Sequence, residues 1–127
     1  MPSKRGCNSV LAIITVVCIV ASPAYAYNED YFNRIASAIY HAEGGARTRY
    51  PFGILNKSCE GYAQCRYMCR EIVRVHWLRW QRAGNPGDFL SYLQSRYAPT
   101  VNATNDPHGL NSNWKRNVSY YMEVEMQ

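Results

Sequence analysis

Phe32-Asn33-Arg34-Ile35-Ala36-Ser37-Ala38-Ile39-Tyr40-His41-Ala42-Glu43-Gly44-Gly45, followed after a short loop by Tyr50-Pro51-Phe52-Gly53-Ile54, is the stretch that decides the fold. Phe32, Ile35, Ala36 and Ile39 recur at helical spacing. Glu43 lies eleven residues beyond Phe32, about 20° from it around the helical wheel. A carboxyl on the buried stripe of a helix, where two glycines end that helix, is a costly structural choice. Desolvation is expected to raise its pKa and keep it protonated near neutrality, the condition a general acid requires. The competing expectation is a helix-end acid paired with Arg47 or Arg49, an arrangement common at surfaces.

Working outward toward the N-terminus, residues 1–26 have the pattern of an export signal. Lys4 and Arg5 form a positive start, Val10 to Val20 is an almost unbroken apolar run, and Ala24-Tyr25-Ala26 supplies a small-x-small cleavage site. Cleavage is expected after Ala26. The apolar run is shorter than the roughly 20 residues of a membrane span, so no stable anchor is expected after cleavage. Residues 27–127 then make one small domain, secreted or periplasmic, and a monomer is expected. Removing Lys4 and Arg5 from the 14 basic residues leaves 12 against 9 acidic ones, a net +3. That mild charge suits an anionic polymer, and it suits ordinary solubility equally.

The domain reads as mainly α. The first helix is expected from about Glu29 to Glu43, capped by Asn28, and the second from about Gly61 to Ala83, with Tyr62, Cys65, Cys69, Ile72, His76 and Trp80 along one face. Asn85-Pro86-Gly87-Asp88 announces a third helix, with Asn85 as cap and Pro86 at its first position. Phe89, Leu90, Leu93 and Tyr97 give its apolar stripe, and Pro99 ends it. The last helix is expected from about Ser112 to Glu125, burying Trp114, Val118, Tyr121 and Met122. Tyr50 to Leu55 is expected as a short extended or β-hairpin element after the first helix. Cys59, Cys65 and Cys69 remain after export. Cys59 can fold back onto either of the others, so one disulfide and one buried thiol are expected. Their spacing with His76 fits no standard zinc pattern, and no metal is expected. His76 itself reads as a satisfied core histidine.

A helix ending in Glu43, the Phe52-Gly53-Ile54 element and a helical lobe beyond resemble the lysozyme-like superfamily, in particular lytic transglycosylases and goose-type lysozymes. Arg96-Tyr97-Ala98-Pro99 and Leu110-Asn111-x-Asn113-Trp114-x-x-Asn117-Val118 are similar to the aromatic segment and terminal helix of small secreted members. The resemblance spans about Phe32 to Met122. It implies an exported enzyme that cleaves the β-1,4 bond between N-acetylmuramic acid and N-acetylglucosamine in peptidoglycan strands, without a cofactor. Glu43 would be the acid and Tyr97 a supporting catalytic residue. Tyr50, Phe52, Gly53, Ile54 and Tyr121 would bind substrate.

The chain departs from the family pattern at Gly44, where a serine is usual, and at Leu55, where a polar residue is usual. A hydrolase needs a second carboxylate. Asp106, Glu60 and Asp88 are candidates, each with a simpler explanation as a turn or helix-start residue. A lone Glu suits lytic transglycosylation. The alternatives are a muramidase of the same fold and a non-catalytic glycan-binding or interaction module. No glycine string for phosphate and no clustered basic face points to nucleotide or nucleic acid.

Overall fold

The computed structural model describes residues 23–54, 58–101, 104 and 106–127, with backbone alone for 23–27. Four α-helices carry the fold: α1 (Pro23–Ala42), α2 (Gly61–Arg82), α3 (Phe89–Tyr97) and α4 (Trp114–Val124). Short 3-10 segments, Gly45–Arg47 and Leu110–Asn113, follow α1 and lead into α4. The chain is mainly α, as its periodicity requires. α1 is the central element, packed against α4 on one side and α2 on another, while α3 bridges α2 and α4.

The apolar stripe of α1 performs as its spacing dictates: Phe32, Ile35, Ala36 and Ile39 are buried, joined by Ala38. Cys65, Cys69 and Val73 meet them from α2, Phe89 and Leu93 from α3, and Trp114, Val118 and Met122 from α4. An aromatic group of buried Phe32 and Phe89 with half-buried Tyr31, Trp77 and Trp80 packs ring to ring at 4.9–6.4 Å. Each fully buried side chain of this kind contributes about 1.5–3 kcal/mol.

Several expectations need correction. α1 begins at Pro23, so Asn28 lies inside the helix rather than capping it; proline suits a first helical turn, where its missing N–H costs nothing. The expected cleavage point after Ala26 falls within this stretch, and residues 1–22 lie outside the described residues. The buried face of α2 runs through Cys65, Cys69 and Val73, and Tyr62 is 53% exposed. Asn85 and Pro86 serve the end of α2 rather than the start of α3. The Gly84 N–H donates to Gln81 O and the Asn85 N–H to Trp80 O, both at 3.0 Å, the reciprocal pattern that closes a helix through a left-handed residue. Asp88 is the cap of α3 instead, accepting from the Ser91 N–H at 2.9 Å.

No strand occurs among the described residues, so the expected extended or hairpin element is not seen; Leu55 lies outside them. Tyr50 to Gly53 is a turn, with the Gly53 N–H donating to Tyr50 O at 2.9 Å and Pro51 at the position whose φ a proline presets. Phe52 and Ile54 are both buried. The carbonyl of Phe52 is satisfied by a side chain, the Tyr97 hydroxyl, rather than by a neighbouring strand. Cys59 and Cys65 form a disulfide that ties this loop to the start of α2, and Cys69 is the buried free thiol.

Candidate active site

Glu43 occupies the C-terminal cap of α1. Its N–H still donates to Ile39 O at 2.9 Å, while Gly44 turns left-handed at φ 91° and its N–H returns to His41 O at 3.1 Å. The helix therefore stops at Ala42, with the acid at its cap and the two glycines just beyond, and Glu43 is half-buried. Its Oε1 accepts a hydrogen bond from the Trp114 indole N–H at 3.0 Å, across 71 residues of sequence.

Beneath the carboxyl lies Gly53. A Cβ on Gly53 would stand 2.9 Å from Glu43 Cδ and 3.1 Å from each oxygen. Those near-equal distances mean the carboxyl plane lies face-on over the glycine, a contact only a residue without a side chain permits. Gly53 also adopts φ 66°, a region where other residues are strained.

Burial raises the pKa of Glu43 above its ordinary value of 4.5, and the Trp114 hydrogen bond opposes that shift without cancelling it. The carbonyl end of the α1 dipole acts in the same direction as burial. Among the described residues Glu43 makes no ion pair. Arg47 instead donates to Gly44 O at 3.4 Å, and the Arg49 guanidinium lies 5.5 Å from the Tyr50 ring centre. The surface-pair expectation is thus not met there.

Tyr97 closes the site from α3. Its hydroxyl donates to Phe52 O, lies 3.6 Å from Cys69 Sγ, and its ring packs 5.5 Å from that of Trp114. Burial, then Cys69, holds the phenol well above its ordinary pKa, so it is a neutral donor at all ordinary pH. Burial likewise pushes the Cys69 thiol up to about 12, which leaves it a small inert core group. Tyr97 therefore fixes the turn on which the Glu43 carboxyl rests.

The structure brings Glu43, Phe52, Gly53 and Tyr97 together, and it adds Trp114, which the sequence offers only as a core residue. The signal available was chemical: a buried indole N–H needs an acceptor. Tyr50, Phe52 and Ile54 line a cavity of about 690 Å³, together with Tyr40, Arg49, Tyr62 and the Cys59–Cys65 disulfide. Glu43, Gly53, Tyr97 and Tyr121 are not in its lining. Phe52 and Gly53 form the partition, Phe52 facing the cavity and Gly53 the acid. Tyr121 packs instead on His41 at the end of α1, with ring centres 5.3 Å apart.

The three alternative carboxylates are occupied or remote in role. Asp106 accepts from the Leu110 and Asn111 N–H groups at 2.7 and 2.9 Å, opening the 3-10 segment. Asp88 caps α3 and pairs with Lys115 at 2.9 Å. Glu60 is exposed at the start of α2. No carboxylate is among the described groups that shift the Glu43 pKa. His76 is half-buried on α2, outside the buried core, and its Nδ1 has no hydrogen-bond partner among the described residues, so the expected satisfied core histidine is not seen. No three His, Cys, Asp or Glu side chains gather to hold a metal among the described residues, and no described helix is long and apolar enough to cross a membrane. No protein-family model, curated protein or solved structure matches the chain.

Proposed function

We propose that this protein is an exported peptidoglycan-cleaving enzyme of lysozyme-like type, acting on the β-1,4 bond between N-acetylmuramic acid and N-acetylglucosamine. One observation carries the reading: a half-buried Glu43 that no cation neutralises among the described residues, with Oε1 held by Trp114 and the carboxyl seated on Gly53. A structural acid at a helix end has no need of a glycine platform or an indole donor. A general acid needs both orientation and a raised pKa.

This reading also assigns the proton. Oε1 accepts from the indole and is the carbonyl oxygen of the acid form, so the proton sits on Oε2. Oε2 takes no hydrogen bond from any described residue. From there it passes to the glycosidic oxygen as the C1–O bond breaks, and positive charge develops on the sugar ring. With no second carboxylate acting on Glu43 among the described residues, the ring is closed by its own C6 hydroxyl. That oxygen bonds to C1, its proton returns to the Glu43 carboxylate, and a 1,6-anhydromuramyl end results. Tyr97 acts as a positioning residue through Phe52, and the aromatic cavity beyond Phe52 supplies sugar contacts through Tyr50 and Ile54.

One observation favours a second reading. The aromatic cavity is not lined by Glu43, as a glycan-binding module without chemistry would have it. Glu43→Gln separates the two. Wild-type protein is expected to release soluble fragments from purified sacculi and the variant to release none while still binding them. Equal behaviour of the two proteins would leave only the binding module.

A further inference from the structure

We propose that Arg49 makes the cavity beside Glu43 selective for a glycan carrying a carboxylate over a neutral glycan of the same length. This rests on the glycan-cleaving reading and names the feature of the substrate that the site selects. At about 690 Å³ the cavity is in the size range of small-molecule sites, roughly 300–1,000 Å³. Its walls are rings: Tyr40, Phe52 and Tyr62 form a triangle with centres 5.1, 5.1 and 5.7 Å apart. Tyr50 stands at the rim, 41% exposed. Such walls offer apolar faces and hydroxyl tips to a sugar, and neither distinguishes one sugar from another by charge.

Arg49 is the only charged side chain lining the cavity among the described residues. The ion pairs of the described residues engage Arg70, Arg74 and Lys115, and none engages Arg49. Its guanidinium lies 5.5 Å from the Tyr50 ring centre, within cation–π range, and Arg49 is exposed. A guanidinium fork matches a carboxylate with two parallel hydrogen bonds. The muramyl residue carries such a group on its lactyl ether or stem peptide, and a chain of N-acetylglucosamine alone carries none.

The test is calorimetric titration of the full protein with three tetrasaccharides. These are the peptide-free N-acetylglucosamine–N-acetylmuramic acid repeat, its methyl ester, and the all-N-acetylglucosamine analogue. Wild type is expected to bind the free acid about fivefold or more tightly than the other two, the ratio falling as salt is added. Arg49→Gln is expected to bind all three alike, at the affinity wild type shows for the ester, and Arg49→Lys to recover part of the preference. Arg49 is exposed, so its variants are expected to keep the wild-type circular dichroism spectrum. Equal binding of acid and ester by wild type would overturn the proposal, as would a preference that survives in Arg49→Gln. Failure of wild type to bind any of the three would overturn it as well. Glu43-dependent release from sacculi is read separately, so selectivity can fail while the cleavage reading stands.

Discussion

Replacing Gly53 by alanine tests whether the Glu43 carboxyl is truly seated on that glycine. The added Cβ would meet Cδ at 2.9 Å, where ordinary van der Waals contact begins near 3.4 Å. The carboxyl must then retreat by about 0.5 Å or more, which stretches the 3.0 Å bond from Trp114 beyond useful length. Overpacking of this kind costs about 1–3 kcal/mol. The left-handed backbone adds about 1–2 kcal/mol for any residue with a side chain. Gly87 provides the control, since it has the same φ of 66° and nothing within 4 Å of its Cβ position. Urea unfolding should therefore show Gly53→Ala losing about 1–3 kcal/mol more than Gly87→Ala. That excess should vanish when both are measured in a Glu43→Ala background, where the carboxyl is gone. On sacculi, displacement of the acid should cut the rate by up to about 10²-fold, the loss that a misplacement of about 1 Å produces. If Gly53→Ala costs no more than Gly87→Ala, or the same with and without the Glu43 side chain, the seat is not what the geometry says.

Three further outcomes follow from the same contacts. Trp114→Phe keeps the ring packing but removes the donor that lowers the Glu43 pKa, so the Glu43 carboxyl followed by carbon-13 NMR should titrate at higher pH than in wild type; a downward shift would contradict the assignment. Because the folded state holds the Glu43 proton more tightly than the unfolded chain does, wild-type stability should fall as pH rises from 4.5 through the raised value. Glu43→Gln should lack that decline and be the more stable protein at neutral pH in thermal unfolding; parallel pH curves for the two would count against a raised pKa. Asp88 is held down at about 2, first by the Ser91 hydroxyl and then by Lys115, so its contribution is present above 3.8 and lost as pH falls toward 2. Asp88→Ala should cost about 1 kcal/mol at neutral pH as a lost cap, with the exposed Lys115 pair adding little. The gap should close in acid, and a gap that persists at pH 2 would exclude this cause.

Glu43 and the stripe beneath it were legible because both depend on one local period: 3.6 residues carry Phe32, Ile35 and Ile39 to the same face and bring the acid back to it. The two glycines marked the helix end for an equally local reason. α4 was legible in the same way, through Trp114, Val118 and Met122. What the sequence hid was the partner of Glu43. Trp114 lies 71 residues away, and no periodicity connects an indole on one helix to a carboxyl at the end of another. The extended element failed for a related reason. Tyr50 to Leu55 has the composition of a strand, but a strand needs a second one to pair with, and here the Phe52 carbonyl finds the Tyr97 hydroxyl instead. At Asn85-Pro86-Gly87-Asp88 two signals competed. Gly84 and Asn85 in left-handed backbone were spent on ending α2, so the cap of α3 fell to Asp88.

The most direct measurement is mass spectrometry of the muropeptides released from purified sacculi by wild-type protein and by Glu43→Gln. Glu43 acting as the sole acid and base predicts release by wild type alone, with muramyl ends lighter by one water than reducing ends. Reducing ends would contradict the single-carboxylate mechanism and require a second acid. Release by Glu43→Gln at the wild-type rate, or none by either protein, would contradict the catalytic role of Glu43 itself.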